Sequence, residues 1–165
     1  MTTIRKLRRK SIAIRALGAL FAGLSMLGPS NAHAGSCPAD KVSSNARQPG
    51  PDKHKNVSDK VIASIDLADE APKLKDHKFR LRRLIVQPGG IVAWHSHAER
   101  PAIIYIVSGS IVEYASTCAA PIIHKAGDVA RETHATSHWW KNVSGRSVVL
   151  LSTDILHDKA DPHTM

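Results

Sequence analysis

No stretch of this sequence is apolar for long enough to cross a bilayer: the cleanest run, Ala16 to Leu27, is too short for a membrane span. No helical period is sustained between Lys60 and Ile155, which argues against a helix-built domain. Aromatic residues make up 4% of the chain, and no basic cluster interleaved with aromatics occurs, so the usual footprint of a nucleic-acid binder is missing. Cysteine is scarce. The two present, Cys37 and Cys118, allow one disulfide, which would close a long loop and contribute on the order of 4 kcal/mol by chain entropy.

What is present begins with a leader. Arg5, Lys6, Arg8, Arg9 and Lys10 precede an apolar run from about Ile12 to Leu27, Gly28-Pro29 breaks it, and Ala32-His33-Ala34 ends it. This is the pattern of a secretory signal over residues 1–34, cleaved before Gly35. Arg8-Arg9 partly matches a twin-arginine signal, but no Phe-Leu pair follows, which favours the general secretory route. The leader carries six basic and no acidic residues, so the 23 basic residues of the chain fall to 17 against 14 acidic ones. The formal charge of +9 drops to about +3, and basicity is a property of the leader. The expected product is exported, periplasmic or secreted, with no stable membrane anchor and no nucleic-acid partner.

Residues 35–60 are polar and rich in Pro, Ser, Asn and Lys, and read as an arm with little core of its own. From residue 61 to 156, short apolar runs recur about every ten residues: VIASIDLA, FRLRRLIV, IVAWHSH, AIIYIV, IVEY, PIIH, DVARE, SHWWKNV and SVVLLSTDI. Pro88-Gly89-Gly90, Ser108-Gly109-Ser110, Ala126-Gly127-Asp128 and Ser144-Gly145 supply turn signals between them. Eight or nine strands in one domain predict an all-β sandwich or small barrel, followed by a flexible tail at 157–165.

His95 and His97 lie two apart in one of these runs and therefore share a face of a strand. His138, in SHWWKN, is a third imidazole, with Trp140 and Asn142 expected on its face. Three imidazoles suit a divalent transition metal (Fe, Mn, Cu or Zn) and leave coordination positions open for water or substrate.

The spacing resembles that of the cupin superfamily, small single-domain barrels of the jelly-roll type. Gly89, His95, His97 and Gly109 fall on the positions of the first cupin motif, and Gly127, His138 and Asn142 on those of the second. The resemblance covers about residues 60–155 and implies a single jelly-roll β-barrel, a mononuclear metal site and a homodimer. It also exposes a departure: the motif's glutamate position falls on Ala102. The ligand set expected first is therefore His95, His97 and His138 alone. Glu99 is the next candidate for a fourth ligand, then Glu132 or His134, and the same three are the candidates for a catalytic acid or base. Trp140 and Asn142 are expected to line the cofactor pocket.

Two functions follow from that site. One is a metal-dependent enzyme of dioxygenase, isomerase or lyase type on a small organic molecule; the other is a non-catalytic module that binds or senses a small ligand. A proton-moving side chain beside the open metal position would favour the enzyme.

Overall fold

The computed structural model describes residues 35–157; the leader and residues 158–165 lie outside them. Eight strands follow a short 3-10 turn at Ala39–Lys41: β1 (Lys55–Asp66), β2 (His77–Ser96), β3 (Ala102–Ser108), β4 (Ser110–Ala115), β5 (Ile122–Lys125), β6 (Val129–Glu132), β7 (Ser137–Lys141) and β8 (Val148–His157). All pairings are antiparallel, in the order β5-β4-β7-β2-β8-β3-β6, with β1 against β2. The sheet curls into a nearly closed barrel of the jelly-roll kind.

The period-two alternation of the sequence is what curls it around a core. On β3, Ala102, Ile104 and Ile106 are buried while Ile103, Tyr105 and Val107 are exposed; on β8, Val148, Leu150, Ser152 and Asp154 face inward. Leu84, Val86, Val92, Ile104, Ile106, Ile111, Ala130, Trp140, Val148 and Leu150 form the main apolar cluster. Further along β8 the interior turns ionic. Arg80 donates two hydrogen bonds to Asp154, Arg82 pairs with Asp59, and all four side chains are less than 10% exposed.

Two expectations are revised. Pro88-Gly89-Gly90 is no turn: β2 runs through it as one 20-residue strand, kinked where Gly89 takes φ +70° and its N–H bonds Asn142 O. A side chain at Gly90 would sit 2.7 Å from Gln87 O and 2.9 Å from Asn56 O, so only glycine lets β1 close over the kink. The arm, too, is built in. Strand β1 starts at Lys55, and Cys37 is disulfide-bonded to Cys118 on an isolated bridge to Val42. Gly50 sits against the Trp139 indole, which stacks on Tyr114 with ring centroids 4.0 Å apart. Little of the arm is buried, so the apolar periodicity that marks a strand is missing from it.

Candidate metal centre

Along β2 the inward positions are Arg80, Arg82, Leu84, Val86 and Val92, all even-numbered, yet His95 and His97 are buried as well. The switch comes from a bulge. The register of β2 on β7 slips between Val92 and His95, so Ala93 and Trp94 take up the extra step. The freed bulge amides are held by the arm: Ala93 N–H donates to His54 Nδ1 at 3.0 Å and Trp94 N–H to Pro51 O at 2.7 Å. Beyond the bulge His95 pairs directly with His138 of β7.

The three Nε2 atoms converge. They lie 3.1 Å apart for His95 and His97, 3.0 Å for His97 and His138, and 3.1 Å for His95 and His138. Each opposite nitrogen faces an acceptor: His95 Nδ1 is 2.8 Å from Ala93 O, His97 Nδ1 2.7 Å from Arg100 O, and His138 Nδ1 2.8 Å from Glu113 Oε1. The carbonyls place the proton on Nδ1 of His95 and His97, and Glu113 favours the same tautomer for His138, whose ring also meets Trp140 Nε1–H at 3.1 Å from Nδ1 and 3.3 Å from Nε2. In that tautomer three Nε2 lone pairs point at one another. Such an arrangement is repulsive without a cation and is the donor set a transition metal needs. With ligand bonds of about 2.1 Å, separations of 3.0–3.1 Å subtend about 90–95°, nearer one face of an octahedron than a tetrahedron.

Behind His138 stands a carboxylate network. Glu113 on β4 accepts from His138 through Oε1 and from His124 Nε2 through Oε2 at 2.8 Å, and Glu132 Oε2 lies 3.4 Å from His138 Nδ1. Glu113, Glu132 and His138 make a second convergent group, approached from the Nδ1 side. Burial opposes the charge on Glu113, but the hydrogen bonds from His124 and His138 outweigh it and hold its carboxyl below the ordinary range. Burial pushes Glu132 up to about 7. Burial alone would lower His138, yet Glu132 and Glu113 raise it. With an acceptor that fixes the His138 tautomer at stake, Glu113→Gln should weaken metal binding about 10–100-fold, read by competition with a chelator, while the protein stays folded.

Burial, then the neighbouring imidazoles, lower His95 well below its ordinary value; burial, then His138, lower His97 to about 3. A histidine whose folded pKa is depressed stabilises above its unfolded pKa of about 6.5 and loses that contribution as pH falls toward the folded value. Glu132, raised, works the other way between about 4.5 and 7 and offsets one of the two histidines there. Urea midpoints of the metal-free protein should therefore fall from pH 6.5 downward and more steeply below about 4.5. A flat profile would contradict this.

The other expected residues lie apart from the convergent nitrogens. Glu99 and His134 are exposed, and Glu132 faces the far nitrogen of His138. Ala102 pairs in register with Glu132, so a carboxylate stands one strand away from the position where the motif has one. Trp140 lies against the centre, its ring edge-on to His138. Asn142 donates to Val86 O and Arg146 O and accepts from Ser144, which ties its amide into the turn after β7. Glu113 and His124 were not anticipated; their alternation marks them as inward, but only strand pairing brings them to His138.

On its open side the centre meets an enclosed cavity of about 20 Å³, lined by His95, His97, Trp140, Arg82, Leu150 and Ser152 among others. That is room for one water or a molecule the size of dioxygen, and an organic ligand would have to widen it. Ser152 is 2% exposed, and its Oγ has no hydrogen-bond partner among the described residues.

Residues 82–154 match the family described as Cupin domain. Among solved structures, the polyketide cyclase RemF from Streptomyces resistomycificus matches with TM-score 0.51 at 17% identity, over 73% of this chain and 78% of that one. A predicted oxalate decarboxylase from Thermotoga maritima gives 0.49 at 22%, over 70% and 97%. The Schizosaccharomyces pombe Cnp3 cupin domain gives 0.42 at 15%, over 49% of this chain and 65% of that one, so the chain spans less than two thirds of it. At these identities the likeness is one of fold. No curated protein matches the sequence.

Proposed function

We propose that this member of the cupin superfamily is an exported, metal-dependent oxidoreductase of the dioxygenase type, acting on a small organic molecule beside His95, His97 and His138. The observation that carries the reading is the set of three Nε2 atoms within 3.1 Å of one another, beside a cavity of about 20 Å³. Three neutral ligands leave the full charge on a divalent ion, and a ferrous ion bound there would supply dioxygen activation. Arg82 and Ser152 are the chain's own polar groups on that cavity: Arg82 is held by Asp59, and the Ser152 hydroxyl is the group that would bond and orient a small molecule. Trp140 and Leu150 keep bulk water out. Isomerase or lyase chemistry needs a side chain that moves a proton beside the substrate, and neither Glu99, Glu132 nor His134 lines this cavity.

The same lack of an acid or base supports the second reading, a non-catalytic small-ligand binder. The two separate on oxygen uptake by protein reconstituted with Fe, Mn, Cu or Zn and offered small thiols and carboxylates. Uptake with one metal, lost in His97→Ala, establishes the oxidoreductase. Tight binding of metal and test compound without uptake establishes the binder, and failure to take up any metal overturns both.

Export is supported by the Cys37–Cys118 disulfide, a bond that persists in oxidising compartments, and among the described residues no helix is long and apolar enough to cross a membrane. Pairing of two copies is supported by the outer face of β3, where Ile103, Tyr105 and Val107 are about half exposed beside Val129. Light scattering on the purified protein tests it.

A further inference from the structure

The arm begins at an unsatisfied acceptor. His124 is 1% exposed and donates through Nε2 to Glu113, which leaves its Nδ1 a lone pair with no partner among the described residues. A buried acceptor left unpaired is destabilising. Gly35 lies close to it. A Cβ placed on Gly35 would lie 3.1 Å from His124 Nδ1 and 3.3 Å from Asp128 Cγ, and its φ of +88° also demands glycine. The nitrogen of a residue lies about 2.5 Å from its own Cβ, so Gly35 N is no more than about 6 Å from either atom.

Within an uncut chain Gly35 has one N–H, and Ile123 O takes it at 3.0 Å. Nothing remains for His124. Hydrolysis of the Ala34–Gly35 bond changes this: water's oxygen goes to the Ala34 carbonyl carbon, the C–N bond breaks, and the protons pass to Gly35, leaving a carboxylate and an ammonium. The ammonium keeps its bond to Ile123 and gains two further donors and a positive charge. Gly35 also lines a cavity of about 320 Å³ with Glu113, Glu132, Thr117 and others, so the terminus has room to turn as it docks. Cys37, two residues on, is fixed by its disulfide, so little chain entropy is lost when the terminus docks.

We propose that the mature N-terminus is a structural part of the site: the Gly35 ammonium docks against His124 Nδ1 and the Asp128 carboxylate and completes a hydrogen-bonded chain through Glu113 to His138. Removal of the leader is then a maturation step for the metal centre as well as a release from the export machinery. The inference rests on the reading of residues 1–34 as a leader cleaved before Gly35.

The test compares exported protein with a chain that keeps Ala34 in front of Gly35, each also carrying Asp128→Asn. Asparagine can still accept the Lys125 N–H bond that Asp128 accepts at 2.7 Å, so the turn is preserved. Intact mass establishes the start. The Gly35 amine should be acylated at least tenfold more slowly than that of a Gly-Ser-Ala peptide, and Asp128→Asn should remove most of that protection. His124 Nδ1 should show a hydrogen-bonded nitrogen shift only in the chain that starts at Gly35, which should also bind metal more tightly than the chain extended by Ala34. A start at Gly35 with peptide-like reactivity and an unchanged His124 shift overturns the docking alone. A start elsewhere, or an uncut chain, overturns the leader reading and the docking with it.

Discussion

Exported His138→Ala is expected to retain less than a tenth of an equivalent of metal where the wild type holds one, with affinity down at least a hundredfold (about 3 kcal/mol). Removing the ring takes away one of three convergent nitrogens, and the remaining pair, 3.1 Å apart, is a bidentate site open to exchange. It also strands Glu113 and Glu132, whose buried carboxylates face His138. His97→Ala separates the two effects. Among the described residues that ring bonds only the Arg100 carbonyl besides its imidazole neighbours, so metal should be lost with less damage to the fold. Metal analysis and urea unfolding on both variants check this. Retention of a full equivalent in either would remove that histidine from the ligand set.

Asp154→Ala should destabilise the protein by about 3–5 kcal/mol, enough to leave much of it unfolded. Asp154 is 2% exposed and accepts two hydrogen bonds from Arg80, at 2.9 and 2.7 Å, with Arg82 Nε at 3.5 Å and an Arg100 nitrogen at 3.7 Å. Without it the buried guanidinium of Arg80 loses its counter-charge, and desolvation of an unpaired charge is the dominant cost. Replacing both partners, Arg80→Met with Asp154→Leu, should cost far less, because neither product is a buried ion. Denaturant midpoints of the three chains decide it. Equal losses in the single and double variants would mean that the ion pair itself, and not the stranded charge, carries the stability.

Much of this centre was legible in the sequence because its signals are local. His95 and His97 announce themselves by a spacing of two, and the glycines set His138 at a fixed distance from them. The barrel showed through the alternation of strands such as AIIYIV. What escaped depends on contacts that spacing does not encode. Glu113 and His124 meet His138 only because β4 pairs with both β5 and β7. The bulge that turns His95 inward is held by Pro51 and His54, from a segment whose polar composition reads as a loose arm. Pro88-Gly89-Gly90 carries every sign of a turn, yet β1 and the turn after β7 clasp it on both sides and keep the strand running.

Strand β8 is the last strand described and joins β2 to β3, so the barrel cannot close until it is in place. Its partners on β2 lie some seventy residues earlier, a separation that makes closure slow even though β1 and β2 can pair first. A chain threaded across a membrane unfolded would cross complete before the barrel could close. Metal acquisition would then belong to the destination compartment, whose metal supply would decide which ion the three histidines receive.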